Sequence, residues 1–137
     1  MRFGIVANAL GGSLESAPAA AAKAGYDGVE WSIAQGFGLD RFWDPAVRRD
    51  MARRATEAVV ALSSVILSIV GKIDFPDDAA GRRRCRELIL AAIDACASLG
   101  VRTMMVPCLK KARATPPDQI ARAGTAGRVP ILATSAI

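Results

Sequence analysis

Ala-Ala-Lys-Ala-Gly-Tyr-Asp-Gly-Val-Glu-Trp, residues 21–31, closes a helix and opens a strand within a few positions. The alanines favour helix, Gly25 supplies the left-handed residue on which a helix stops, and residues 26–31 are short and β-prone. Working back, helix one covers residues 17–24. Ser13 or Ser16 can accept a hydrogen bond from the unpaired amides at its start, and Pro18 is tolerated in its first turn. Strand one precedes it at residues 2–7, followed by the turn-rich Asn8-Ala9-Leu10-Gly11-Gly12-Ser13.

Working forward, residues 32–43 form a long loop carrying Gly36, Phe37, Gly38 and Phe42. Asp44-Pro45 is an N-cap followed by proline at the first helical position. Val47, Met51, Ala55, Ala58, Val59 and Leu62 then recur at helical spacing with Arg48, Arg53 and Glu57 opposite, which predicts an amphipathic helix two. Strand three is placed at residues 65–70, largely apolar as a covered parallel strand should be. Pro76-Asp77-Asp78 opens helix three, whose stripe Cys85, Leu88, Ile89, Ala92, Ile93, Cys96 and Leu99 ends at Gly100. Strand four follows at residues 101–106, where Pro107 stops it. Four strands separated by three helices make parallel neighbours with right-handed crossovers, and units that wind one way curl toward a barrel. The remainder is irregular: Thr115-Pro116-Pro117-Asp118 suits a short helix start, and residues 129–133 a poor fifth strand weakened by Pro130.

The chain has 137 residues, enough for one domain with a real core but short of a closed eight-fold barrel of roughly 250 residues. Hydrophobic residues make up 52%, which excludes a disordered or fibrous polymer. The net charge of +5 comes from arginines grouped on helices, Arg48, Arg49, Arg53 and Arg54 on one and Arg82, Arg83, Arg84 and Arg86 on another. That distribution reads as solvated helix faces, and without interleaved aromatics it predicts no nucleic-acid partner. No apolar run is long enough to cross a membrane and no signal peptide precedes strand one, so a cytoplasmic protein is expected. Cys85, Cys96 and Cys108 lack metal or redox spacing and read as small hydrophobes of a reducing compartment.

Familiar motifs fail on inspection. Gly11-Gly12 with Glu30 downstream imitates a dinucleotide fingerprint, but Asn8, Leu10 and Ser13 stand where its glycines belong. Gly71-Lys72 is not a phosphate loop, because Ile66 and Ile73 occupy the flanking glycine and Ser/Thr positions. Lys72 reads as a solvated loop lysine or as a contact for an anionic substrate. The sequence contains no histidine, which removes a Ser-His-Asp triad, a Cys-His pair and imidazole ligation by this chain alone. Glu30 is the acidic residue at the C-terminal end of a strand, where barrel chemistry is placed, and it serves either there or as a carboxylate paired with arginine or water. Trp31, Phe37, Phe42 and Trp43 either wall a sugar-sized pocket or pack their loop over helix two. Cys108 has no activating partner and reads as a structural thiol.

Residues 21–30, the arginine-bearing second helix, Ala-Ile-Asp-Ala-Cys-Ala-Ser-Leu-Gly-Val (residues 92–101) and Met-Met-Val-Pro (residues 104–107) together resemble the xylose-isomerase-like TIM barrel superfamily of sugar phosphate isomerases and epimerases. The resemblance covers about residues 2–107. It implies an α/β fold, a partial (β/α) TIM barrel of about four parallel βα units over residues 1–108, with residues 109–137 as an irregular or non-native tail. It also implies a small sugar or polyol as substrate, and Asn8, Glu30, Trp31 and Ser68 as the positions that line its pocket. Full-length relatives move a proton next to a sugar carbonyl using a divalent metal (Mn, Mg or Zn) held by later strands. None of those ligands carries over, so no metal residue is assigned, no catalytic residue is named, and tight metal binding is not expected. The chain is then expected to be a truncated or frameshifted product that is inactive alone, or one that pairs as a homodimer through exposed strand edges. Two other readings stand beside it: a non-catalytic sugar or phosphosugar binding module with the same mouth, and a Rossmann-like or flavodoxin-like regulatory domain. Helices on one face of the sheet favour the barrel, and helices on both faces the last.

Overall fold

The structure, a computed structural model, describes residues 1–74, 77–113 and 117–118. Four strands, β1 (Gly4–Val6), β2 (Gly28–Ser32), β3 (Ala61–Ile66) and β4 (Met104–Met105), alternate with three helices, α1 (Ala17–Lys23), α2 (Pro45–Glu57) and α3 (Ala79–Ser98). The strands form one sheet in the order β1-β2-β3-β4, every pair parallel. The chain is thus mixed α/β with a four-stranded parallel sheet. No described helix is long and apolar enough to cross a membrane. The expected fifth strand lies outside the described residues, as does most of the segment that starts at Thr115.

An order that never reverses, with the right-handed crossovers that parallel strands almost always use, puts α1, α2 and α3 on one face. The packing agrees. Val29 clusters with Ala17 and Ala21 of α1, while Trp31 and Val65 cluster with Met51 of α2 and with Leu88, Ala92 and Cys96 of α3. Side chains alternate along a strand, so Glu30 and Ser32, and with them the paired Ser64 and Ile66, occupy the face without helices. A bulge keeps this consistent: Ser63 and Ser64 together oppose the step from Val29 to Glu30, so that Leu62 and Val65, three residues apart, both face the helices.

The bulge also explains a correction. The sequence places strand three at residues 65–70, but β3 runs over Ala61–Ile66 and residues 68–72 form a 3-10 turn. Leu-Ser-Ser-Val carries no period of two once a residue is inserted, so the strand does not look like one. Helix two likewise ends at Glu57 rather than running through Leu62. Strands one and four are shorter than expected, three and two residues in length.

All three helices end in one hydrogen-bond pattern. Past α1, the Tyr26 amide donates to the Ala21 carbonyl at 3.0 Å and Gly25 to Ala22 at 3.0 Å. Past α3, Val101 donates to Cys96 at 3.0 Å and Gly100 to Ala97 at 3.1 Å. Past α2, Val60 donates to Ala55 at 2.9 Å and Val59 to Thr56 at 3.1 Å. This is the Schellman motif, whose pivot residue is left-handed. Gly25 and Gly100 meet that requirement at φ 81° and 69°, but the third pivot is Val59 at φ 56°, exposed and β-branched. A left-handed L-residue costs about 1–2 kcal/mol, partly offset by the unfolded-state entropy that glycine adds. Val59→Gly is therefore expected to stabilise the chain by about 0.5–1 kcal/mol, read as a higher urea midpoint at unchanged slope. The helix starts are ordinary: Asp44 accepts from the Ala46 amide at 2.8 Å, and Asp78 from Ala80 and Gly81 at 3.0 and 2.8 Å. Before α1, no side chain caps the helix. Ser16 instead accepts from the Ser13 amide at 3.1 Å within the preceding 3-10 turn.

Candidate functional site

The C-terminal end of a parallel sheet is where the chain leaves each strand and where ligand groups gather. On the face away from α1–α3, Glu30 is the middle residue of β2 rather than the strand end expected from the sequence; it lies opposite Ser64 of β3, and the Ser64 hydroxyl donates to Glu30 Oε2 at 2.5 Å. Two residues further along β2, Ser32 shares a hydrogen bond of 2.8 Å with Ser68, the first residue of the 3-10 turn that follows β3. All four side chains are half-buried.

The backbone fixes that turn. Ile33 donates to the Ile66 carbonyl at 2.8 Å, Ile69 donates to Ile33 at 2.9 Å, and Leu67 donates to Met105 of β4 at 2.9 Å. The loop after β2 is fixed in the same way. Asp40 accepts from the Ala34 and Phe42 amides at 3.0 and 3.1 Å, and Lys72 Nζ donates to the Ala34 carbonyl at 2.8 Å. Lys72 therefore spends one of its donors holding this loop.

Of the residues expected to line a pocket, the structure brings Glu30 and Ser68 into one row with Ser32 and Ser64. Asn8 sits beyond β1 in the 3-10 turn Ala7–Leu10, which packs against β2, and its side chain is exposed. Trp31 is placed elsewhere. As the neighbour of Glu30 it points to the opposite face, where it is 2% exposed and meets Phe42 edge-on with ring centroids 5.4 Å apart. It is a core residue under the helices rather than a wall of the open face.

The aromatic loop resolves the same way. Phe37 and Trp43 are 4.6 Å apart, Phe42 and Trp43 5.2 Å, with Arg84 of α3 over Phe37 and Arg48 of α2 over Phe42. Arg41 adds an ion pair to Glu15. The aromatics fasten the loop to the helices. A depression of about 430 Å³ beside them is lined by Leu39, Arg41, Trp43 and Val47 among others, and none of the Glu30 row reaches it.

Ser32 and Ser64 were legible only in part. Ser32 follows Glu30 by two residues on a strand and shares its face by parity. Ser64 was hidden because the sequence places strand three one residue beyond it. Burial pushes the Cys85 and Cys96 thiols up to about 11 and also raises that of the exposed Cys108. Such thiols stay protonated at neutral pH.

One carboxylate, held at one oxygen by a hydroxyl, beside a pair of hydroxyls that both donate and accept, suits a polyhydroxylated ligand. It does not suit a divalent metal. Among the described residues no three of His, Cys, Asp and Glu converge, and neutral serine hydroxyls do not replace them. Compared with known families and with curated proteins, the chain matches no family model and no curated sequence significantly.

Proposed function

We propose that the chain is the first half of a parallel (β/α) barrel of the sugar phosphate isomerase and epimerase type, and that its Glu30 face takes a small sugar or polyol. The observation that supports this reading is the unreversed strand order, which leaves one face free of α1, α2 and α3, with Glu30 and Ser64 midway along β2 and β3, Ser32 at the end of β2 and Ser68 in the turn after β3 on that side. A doubly wound domain places its crevice where the strand order reverses, and the four described strands have no such reversal.

Ligand hydroxyls would donate to the Glu30 carboxylate while Ser32 and Ser68 exchange hydrogen bonds with their neighbours on the sugar ring. Ser64 acts as a positioning residue, because it fixes the rotamer of Glu30 before the ligand arrives. Proton transfer next to a carbonyl needs an acid and a base flanking one carbon, with a donor at the oxygen. Glu30 is the one carboxylate in this row of side chains, so this chain alone is proposed to bind without turnover. No step of that binding passes through a metal.

The test is a titration of amide chemical shifts with aldoses, ketoses and cyclic polyols. Shifts are expected at residues 30, 32, 64 and 68. Hydrogen bonds to a charged group are worth about 1.5–3 kcal/mol, so Glu30→Gln, which keeps the shape, should weaken binding by about tenfold or more. Binding unchanged by that substitution, or shifts centred on residues 37–47, would refute the proposal.

A further inference from the structure

Helices α2 and α3 treat their charges differently. On α2, Arg53 pairs with Asp50 and Glu57 at 2.5 and 2.6 Å and Arg54 pairs with Asp50 at 2.6 Å, so these two arginines are neutralised within the helix, while Arg48 donates to the Phe42 carbonyl at 2.8 Å and Arg49 makes no ion pair among the described residues. The Asp50 carboxyl is accordingly held below its ordinary range, first by the Arg54 hydrogen bond and then by that of Arg53. On α3, by contrast, Arg84 makes a loose 3.8 Å pair with Glu87, and among the described residues Arg83, Arg86 and Asp94 make no ion pair.

Two of those charges, Arg83 and Arg86, lie on one line with exposed apolar residues, and Asp94 lies beside it. Arg83, Arg86, Leu90, Ile93 and Ala97 follow spacings of three, four, three and four residues, and all are exposed, Leu90 at 42% and Ile93 at 36%. This is a heptad seam on the outer side of α3, opposite the buried stripe of Cys85, Leu88, Ala92 and Cys96. Arg86 and Asp94 flank Leu90 at four residues on either side, too far apart along the helix to reach each other. The arginines also crowd the N-terminal half of α3, the positive end of its dipole, where cations are disfavoured.

An antiparallel copy of the same helix satisfies each of these features at once. We propose that two copies of this chain associate through α3 about a two-fold axis at Leu90. Leu90 packs on its own copy, Arg86 meets the second copy's Asp94 twice by symmetry, and Arg83 reaches the negative C-terminal end of the facing helix. Ala97 is small enough to let the helices approach. The inference is independent of the Glu30 site, which lies on the other side of the sheet from the helices.

Sedimentation of the full chain tests it. The contact is at the small end of stable interfaces, so dimer should dominate at roughly 200 µM and dissociate on dilution and at high salt. Arg86→Asp and Asp94→Arg, both at exposed positions, should each weaken association at least about tenfold, since like charges then face each other. The decisive sample is an equal mixture of the two single variants, in which both pairs are again complementary, and the same holds for the doubly exchanged chain. Recovery of the dimer in both supports the contact. A wild-type monomer at that concentration, failure of the mixture to recover, or association unaffected by either reversal overturns it, the last leaving the strand edges as the contact.

Discussion

Trp31→Ala is expected to cost about 3–5 kcal/mol, a large share of the 5–15 kcal/mol that typically holds a domain of this size together. The indole is 2% exposed, meets Phe42 edge-on at 5.4 Å, and belongs to the cluster in which α2 and α3 pack on the sheet. Removing it leaves a cavity between two helices and a strand, which a close-packed core fills only in part. Trp31→Phe separates this role from ligand binding. Among the described residues the buried Trp31 Nε1 has no hydrogen-bond partner, so phenylalanine sheds an unsatisfied donor while keeping most of the packing. Its cost should stay within about 1 kcal/mol, and sugar binding at Glu30 should not change. Urea unfolding of the two variants gives the comparison directly. Equal, small effects would place Trp31 outside the core.

Gly81→Ala is the second large effect, and its sign runs against helix propensity. An alanine in a helix is ordinarily worth about 1 kcal/mol over glycine. Here a β-carbon at position 81 would collide with the Asp74 carbonyl oxygen and lie 3.0 Å from its carbon, both of them backbone atoms. Gly81 is buried, and its amide is already committed to Asp78 at 2.8 Å, so α3 cannot slide away without losing its cap. Overpacking of this kind costs about 1–3 kcal/mol beyond the propensity gain. Asp74 comes directly after Ile73, which donates to Val70 in the turn that carries Ser68, so the displacement reaches the candidate site. The variant should be destabilised in urea and should also bind polyols less tightly, whereas a gain in stability would show that the Asp74 segment yields freely.

The element order was legible because its signals are chemical. Asp44-Pro45 and Asp78 start helices by capping, and Gly25 and Gly100 stop them by accepting a left-handed backbone. The end of α2 was illegible for the complementary reason: Val59 occupies the same pivot without the residue that advertises it, so the apolar spacing runs on to Leu62 and takes the first half of β3 with it. The candidate site suffered from that error. Glu30 was read as a strand end although β2 runs on to Ser32, and Ser68 was found from its nearness to the next strand, but Ser64 depends on a bulge, and a bulge is a property of two strands together. Trp31 shows the opposite failure. An aromatic beside a polar strand end looks like a pocket wall until strand parity is applied, and parity turns it to the helices.

Cysteine accessibility measures the central claim most directly, namely that α1, α2 and α3 all lie on one face of this sheet and leave the other open. With Cys108 replaced by serine, single cysteines at Ser32 and Ser64 on one face, and at Val29 and Val65 on the other, are challenged with an aromatic disulfide under native conditions. The account predicts rapid modification at positions 32 and 64, and protection at 29 and 65 that is lost only on unfolding. Equal protection at all four positions would mean that a second helical layer covers the Glu30 face, and the half-barrel reading would fall with it.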